Sequence, residues 1–146
     1  MNYFEDPRFL RQLIMDHYEN PRNKRTDETY PKKRVSTDSC IDDLTIQAFI
    51  KNGVIEDVCF DGQACTIATS AASIMTELVK GKTVAEADQI IAEYNRMIHL
   101  ESFDEQLLQE AVAFKNVGRQ ANRITCATLG WRGLTDIIEE SRDNDE

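Results

Sequence analysis

The chain has 146 residues, of which 41% are hydrophobic and 29% are charged, and its formal net charge is −9. This length and balance fit one globular domain with its own core, and no apolar run reaches the ~20 residues that a membrane-spanning helix needs. The excess of acidic groups argues against general binding of nucleic acids, because their phosphates would be repelled.

The N-terminus has no basic region followed by an apolar stretch, so we predict no signal peptide and a cytoplasmic location. In that compartment the four cysteines are expected to stay reduced, which favours metal binding or catalysis over disulfides. We see no linker and no internal repeat. We therefore expect a single domain over residues 1–146. We also expect the protein to be a monomer.

The N-terminal part of the chain predicts a helix followed by a long loop. Asp6 and Pro7 are typical of a helix start, and apolar side chains then recur at helical spacing until Asn20. Residues 21–39 are polar and show no periodicity, so we predict a long basic loop there. The six cationic side chains between 22 and 34 could dock an acidic partner, or simply form a solvated surface.

Alternating apolar and polar residues next predict a hairpin. The two strands cover residues 44–50 and 54–60, and Asn52-Gly53 between them is a strong hairpin signal. Asp61-Gly62 indicates a further turn, and residues 63–67 a short third strand. We therefore expect a small antiparallel sheet of about three strands.

The remaining chain shows helical periodicity. One apolar face covers residues 67–78, and a capping box over Thr83–Glu86 begins a second helix. A third helical segment covers roughly 104–114, and a last helix is predicted from about Cys126 to Ile138. The acidic C-terminus, about 139–146, is expected to be frayed. The order of elements predicts an α+β fold, with an N-terminal helix and several C-terminal helices flanking the sheet.

Three cysteines lie far apart in the sequence, each at the edge of a predicted element. Cys40 ends the polar loop, Cys65 lies in the turn before a helix, and Cys126 opens the last helix. Together with Asp42 they supply three thiolates and a carboxylate, enough for one tetrahedral zinc site, and helix N-termini favour the thiolate form. Each cysteine alone could instead be a small buried hydrophobic residue, which is our prediction for Cys59.

Other residues with chemical potential are interpreted as structural. His17 and His99 lie in or beside amphipathic helices, where we expect packing or surface roles. Trp131, Met75 and Met97 fall at core spacings. The sequence has no Gly-rich phosphate loop and no defensible Ser/His/Asp arrangement, so ordinary kinase or hydrolase chemistry lacks support.

Four motifs carry a resemblance. They are Asp16-His17-Tyr18-Glu19-Asn20-Pro21-Arg22-Asn23, Cys40-x-Asp42, Gly62-x-x-Cys65 and Arg123-Ile124-Thr125-Cys126-Ala127-Thr128-Leu129-Gly130-Trp131. With them the chain resembles the U-type iron–sulfur assembly proteins over about residues 5–138. The IscU scaffold branch places a His before the third cysteine, where this chain has Thr125, and it has a shorter interval between the second and third cysteines. Both differences favour the SufU branch, which resembles a zinc-dependent sulfur-transfer protein more than a cluster scaffold.

The resemblance implies a SufE/NifU-like fold and unequal roles for the four ligands. In the family account, a PLP-dependent cysteine desulfurase of the SufS type holds a persulfide, and one of its ligands displaces Cys40 from Zn²⁺. Cys40 then accepts the sulfur by thiol exchange, while Asp42, Cys65 and Cys126 keep the metal. The sulfur passes on to a cluster-building complex of the SufBCD type. Arg123 would pair with the acidic ligand or stabilise a thiolate.

The chain also departs from the family pattern near the proposed ligands. Ile41 and Ala64 stand where the family usually has Gly, and Gln120-Ala121 where it usually has Phe-Pro. Both lost glycines restrict the backbone near the metal. Two other functions stay open: an IscU-like scaffold that assembles a transient [2Fe–2S] cluster at the same residues, and a structural zinc domain that only mediates protein contacts.

Overall fold

The structure is a computed structural model that describes residues 3–38 and 41–144. Cys40 therefore lies outside the described residues. The helices and strands, in chain order, are α1 (Pro7–Glu19), β1 (Lys32–Ser36), β2 (Asp43–Lys51), β3 (Val54–Gln63), α2 (Thr66–Val79), α3 (Val84–Ile98), α4 (Glu105–Leu108) and α5 (Ala121–Asn144). Short 3-10 helices cover Tyr3–Glu5, Gln109–Phe114 and Val117–Arg119.

The three strands form one antiparallel sheet in the order β1-β2-β3. The predicted α+β fold, with an N-terminal helix and several C-terminal helices around this sheet, is confirmed. The β2–β3 connection is the two-residue turn at Asn52-Gly53, and both residues have positive φ angles, 54° and 75°. Such a turn matches the right-handed twist of the strands, which explains why this dipeptide signals a hairpin.

One strand was not predicted, and one predicted strand is wrong. β1 lies inside the stretch 21–39 that we expected to be a loop, and residues 63–67 form no third strand. β1 carries three cationic side chains and a single apolar one, Val35. Its pairing with β2 is what makes it a strand, because charged edge strands lack the hydrophobic alternation of half-buried ones. β3 continues to Gln63 through the predicted Asp61-Gly62 turn.

The segment before β1 crosses the sheet instead of extending into solvent. Arg25 N donates to the Phe60 carbonyl at 2.8 Å, and Phe60 N donates to the Asn23 carbonyl at 3.0 Å, so this segment covers the free edge of β3. Asp27 N donates to the side-chain oxygen of the buried Gln47 at 3.1 Å. A buried amide needs such partners, and the segment is therefore fixed over the outer face of β2.

The cationic stretch from 22 to 34 mostly pairs with acidic groups of the same chain. The ion pairs are Arg22–Asp16, Arg25–Asp57, Lys33–Glu140 and Arg34–Asp43. Within the described residues, only Lys24 and Lys32 of this stretch form no ion pair. Of the two interpretations, a docking patch for an acidic partner loses support, because four of its six charges are already neutralised.

Most helix boundaries agree with the sequence. Asp6 caps α1 by accepting from Arg8 N at 2.9 Å, and Thr83 and Glu86 form the predicted capping box of α3. The third predicted segment is divided into α4 and a 3-10 helix at Gln109, whose φ is 51°. The described residues contain no helix that is long and apolar enough to cross a membrane.

Helix α5 differs from its prediction at both ends. It begins at Ala121 rather than Cys126, and it continues through the tail expected to be frayed, up to Asn144. Glu140 pairs with Lys33 of β1, and Arg142 pairs with Asp88 of α3. These two ion pairs to other elements hold the acidic tail of α5 in a helix. The local sequence of the tail did not predict that it would be helical.

The core lies between the sheet and the helices, and α5 crosses β2 at very short distance. A Cβ atom on Gly133 would lie 2.7 Å from Cγ1 of the buried Ile46. Glycine inside a helix costs about 1 kcal/mol relative to alanine, and this close approach is the packing reason for its presence. The buried side chains Leu44, Ile46 and Phe60 fill the sheet side of this interface.

Gly62 generates a stability prediction with a matched control. Its φ is 124°, and a Cβ there would lie 2.1 Å from the backbone oxygen of Asp43, so Gly62→Ala meets both strain and a backbone clash. We expect a loss of about 3 kcal/mol or more. Gly53→Ala, at φ 75° with open space around it, should cost only about 1–2 kcal/mol. Urea unfolding of both variants measures the difference, and equal losses would contradict the close approach at Gly62.

Asp57 generates a prediction about pH. Partial burial opposes its ionisation, but hydrogen bonds from Arg25 and Tyr30 outweigh this and hold the pKa of Asp57 below its usual 3.8. A lowered pKa stabilises the fold above the unfolded-state value, and this stabilisation disappears as pH falls through the folded-state value. Asp57→Asn should therefore cost about 1–2 kcal/mol at pH 7 and less at pH 3.

The control for this measurement is Asp61→Asn, an exposed residue of the same strand that forms no ion pair within the described part of the chain. It should leave the free energy of unfolding nearly unchanged at both pH values. A cost of Asp57→Asn that grows on acidification would contradict the ion-pair argument.

Candidate metal centre

Asp42 lies at the entrance to β2, and its side chain is only 1% exposed. Its Oδ1 atom accepts a hydrogen bond from Cys65 N at 2.7 Å, and its Oδ2 atom lies 3.5 Å from Cys65 Sγ. Among the residues that the structure describes, no Lys or Arg forms an ion pair with it. A buried carboxylate without a cationic partner is costly, so this position favours the binding of a cation.

Cys65 is the N-cap residue of α2, as the sequence predicted. Its Sγ atom accepts from Ala68 N at 3.4 Å, in the position that a capping oxygen normally takes. The positive end of the helix dipole therefore faces this sulfur. The same residue donates its own N–H to Asp42, so one cap aligns two of the candidate ligands.

Cys126 does not open the last helix, which corrects the prediction. It lies in the second turn of α5 and is 6% exposed, so the dipole argument does not apply to it. Burial, followed by the neighbouring Asp42 and Cys65, raises the pKa of the Cys126 thiol. The surroundings made by the protein alone thus favour the neutral thiol, and a bound cation would reverse this preference.

Aromatic residues hold the helix that carries Cys126. The Tyr94 hydroxyl donates to the Ala127 carbonyl at 2.7 Å, and the Tyr94 and Trp131 rings stack with centroids 4.1 Å apart. Tyr94 comes from α3, so this contact fixes the rotation of α5 relative to its neighbour. Sequence reasoning placed Trp131 in the core but gave Tyr94 no part in the site, because only its helical spacing was visible.

The ligand atoms of Asp42, Cys65 and Cys126 all lie within 4.8 Å of one another. In a zinc tetrahedron with ordinary bond lengths, the S–O edge is about 3.6 Å and the S–S edge about 3.8 Å. The observed 3.5 Å between Asp42 Oδ2 and Cys65 Sγ is close to such an S–O edge. The donor set therefore fits Zn²⁺. The described residues supply three ligands, and Cys40 is the fourth ligand that the sequence predicts.

Other candidate residues are not part of this group of ligand atoms. Arg123 is exposed and lines a pocket together with Arg11, and it makes no ion pair with Asp42. Cys59 is buried in β3 next to Gln47, in agreement with a structural role. Ile41, the neighbour of Asp42 that replaces a usual glycine, is 76% exposed, so its side chain is directed away from the buried ligands.

His17 is a buried packing residue whose partners the sequence did not reveal. Its ring nitrogens contact Ser73 Oγ at 2.8 Å and Glu110 Oε1 at 3.2 Å. Arg22 N also donates to Ser73 Oγ, so the histidine joins α1 to α2 and to the 3-10 helix after α4. His99 is exposed and is the C-cap residue of α3, where its ring forms a hydrogen bond to the Asn95 carbonyl.

Comparison with known proteins identifies the family. The model of the NifU-like N terminal domain matches residues 10–140. The zinc-dependent sulfurtransferase SufU of Bacillus subtilis strain 168 is 33% identical over 125 residues, 85% of each chain. The iron–sulfur cluster assembly scaffold protein IscU of Thermotoga maritima is 30% identical over 102 residues, 70% of this chain and 72% of that one.

Solved structures agree. A crystal structure described as a putative iron–sulfur cluster assembly scaffold protein for the SUF system, FiSufU from Fervidobacterium islandicum AW-1, superposes with a TM-score of 0.82. It is 26% identical, and the match covers 87% of this chain and 94% of that one. The family model, the SufU and IscU relatives and this shared fold confirm the resemblance found in the sequence. The chain belongs to the NifU-like N-terminal domain family, which includes the SufU and IscU proteins of iron–sulfur cluster assembly.

Proposed function

We propose that this protein is a zinc-bound sulfur acceptor that takes persulfide sulfur from a SufS-type cysteine desulfurase. One observation carries the proposal: the ligand atoms of Asp42, Cys65 and Cys126 meet within 4.8 Å. The 33% identity to a zinc-dependent sulfurtransferase over most of both chains supports it. The sulfur would pass to a SufBCD-type cluster assembly complex in the cytoplasm.

The chemistry of the proposal rests on Cys40. Asp42, Cys65 and Cys126 would hold Zn²⁺, which supplies the positive charge that keeps bound thiols deprotonated. Cys40 lies two residues before Asp42 in the sequence, and its thiolate is the proposed acceptor. That thiolate attacks the outer sulfur of the desulfurase persulfide. A new S–S bond forms on Cys40, the old one breaks, and the desulfurase cysteine leaves as a thiolate, without net oxidation or reduction.

A second function has its own support. The IscU relatives are similar in identity to the SufU relative, 30% against 33%, and they are named cluster assembly scaffolds. In that function the same cysteines would bind a [2Fe–2S] cluster during its assembly, since thiolates are the usual ligands of such clusters.

The metal centre is tested by metal content. Purified without added metal, the protein should contain about one zinc per chain. Cys65→Ala and Cys126→Ala should lose most of it, because each removes a thiolate ligand. Asp42→Ala should weaken retention less, since a carboxylate contributes a weaker bond. The control is Cys59→Ala, which removes a thiol outside the centre and should keep its zinc. Equal zinc in all four variants would place the metal elsewhere.

The acceptor role is tested by mass spectrometry. After incubation with a SufS-type desulfurase and cysteine, the wild-type protein and Cys59→Ala should carry adducts of about 32 Da, one sulfur atom each. Cys40→Ala should retain some zinc and carry no adduct. An undiminished adduct on Cys40→Ala would rule out Cys40 as the acceptor.

The two functions are separated by anaerobic reconstitution with iron and sulfide. A sulfur acceptor should stay colourless with its zinc in place. A stable brown product with the visible absorption of a [2Fe–2S] cluster would favour the scaffold function instead.

A further inference from the structure

A pocket of about 260 Å³ opens between α1 and the chain that leads into α5. We call it the arginine-rimmed pocket. Its apolar lining includes Leu10, Ile14, Ile67 and Val117, and the lining also includes Arg11 and Arg123, which are both exposed.

This pocket adjoins the candidate metal centre in sequence and in space. Ile67 follows Cys65 by two residues in the first turn of α2, and Arg123 precedes Cys126 by three residues in the first turn of α5. A molecule seated in the pocket would therefore lie beside two of the three candidate ligands.

Charge sets this face apart from the rest of the chain. The 25 residues from 111 to 135 include four cationic side chains and no Asp or Glu, although the whole chain has 26 acidic residues and a net charge of −9. Three of these cations, Lys115, Arg119 and Arg123, lie in the stretch from the end of the 3-10 helix Gln109–Phe114 to the first turn of α5. The basic character is local, because acidic residues dominate elsewhere.

The arginines of this face have no acidic partner within the part of the chain that the structure describes. Arg11, Arg119 and Arg123 are exposed and form no ion pair there, whereas Arg22, Arg25 and Arg34 each pair with an aspartate. Unpaired guanidinium groups around an apolar floor complement an apolar side chain that is flanked by carboxylates.

We propose that the arginine-rimmed pocket docks a segment of a partner protein that presents an apolar side chain between acidic residues. The apolar side chain would fill the pocket and supply most of the affinity, as buried anchors do in protein interfaces. The carboxylates would pair with Arg11 and Arg123 at the rim, where charges mainly determine encounter rate and selectivity.

A protein segment fits this face better than a membrane. A concave pocket receives a side chain, whereas binding to a bilayer surface requires apolar groups that protrude from a basic face. The acidic remainder of the chain would also be repelled by anionic lipids. The inference does not depend on the proposed sulfur transfer, because docking is measured without metal chemistry or turnover.

The test is an NMR titration of the ¹⁵N-labelled full chain at low salt. The probe is a five-residue peptide with a central leucine and two glutamates on each side. Amide shifts should concentrate at Leu10, Ile67 and Val117. A peptide with a central alanine should bind more weakly, because the anchor is lost, and a peptide with lysines in place of glutamates should not bind.

Charge reversal separates the pocket from the overall charge. Arg11→Glu and Arg123→Glu should each weaken peptide binding by about tenfold. Arg132→Glu is the matched control, since Arg132 is also exposed, lies outside the pocket and forms no ion pair within the described residues, and it should change binding by less than about twofold. All three positions are on the surface, so the variants should unfold at nearly the same temperature as the wild type.

Several outcomes would overturn the proposal. Equal weakening of peptide binding by Arg132→Glu would show that binding depends only on net charge. Amide shifts spread over the whole surface would exclude binding in the pocket. Binding of phosphatidylserine vesicles at these amides, with no response to the peptide, would replace the protein partner by a membrane. Self-association in sedimentation velocity that Arg11→Glu abolishes would make a second copy of the chain the occupant.

Discussion

The buried carboxylate of Asp42 is the constraint on which the candidate centre depends. It lies where the sheet, α2 and α5 meet, next to Cys126, and it contacts Cys65 through a 2.7 Å hydrogen bond and a 3.5 Å approach to sulfur. A carboxylate in such a position needs positive charge nearby. Neither a lysine nor an arginine supplies it within the described residues, and a metal ion held by the adjacent sulfur atoms would. The same contact aligns the first turn of α2 with the entrance to β2.

The frame around this centre is rigid for identifiable reasons. The close approach of Gly133 to Ile46 fixes the distance between α5 and the sheet, and the stack of Tyr94 on Trp131 fixes the helix against α3. The hydrogen bonds around Phe60 and Gln47 hold the segment before β1 against the sheet. A site built in this way holds its donors in place before a metal arrives, which reduces the conformational cost of binding.

Cationic side chains are paired with acidic groups on one part of the surface and unpaired on another. Most cations of the segment from 22 to 34 pair with acidic groups of the same chain, whereas those of the face beside the candidate centre stay unpaired within the described residues. An acidic molecule with one unneutralised basic face orients its acidic partners by long-range attraction. In this protein that face adjoins the helix turns that carry the candidate ligands Cys65 and Cys126.

Local signals in the sequence determined a large part of the fold. The capping residues Asp6 and Thr83, the Asn52-Gly53 turn and the helical periodicities depend on neighbours a few residues away, and the structure agrees with them. The ligand types could also be selected, because thiols and a carboxylate are rare groups with specific chemistry. The position of Cys65 at the start of a helix was predicted from the sequence alone, where the hydrophobic pattern changes from strand to helical periodicity.

Only the tertiary structure decided the rest. β1 is a strand because β2 offers it hydrogen-bonding partners, and the tail of α5 stays helical because Lys33 and Asp88 lie within reach of Glu140 and Arg142. Cys126 reaches the centre from inside a helix, not from its end. The unpaired state of Arg11 and Arg123 is likewise invisible in the sequence, where every arginine has acidic residues available somewhere. Contacts between distant residues are set by how whole elements pack, and no local pattern encodes that packing.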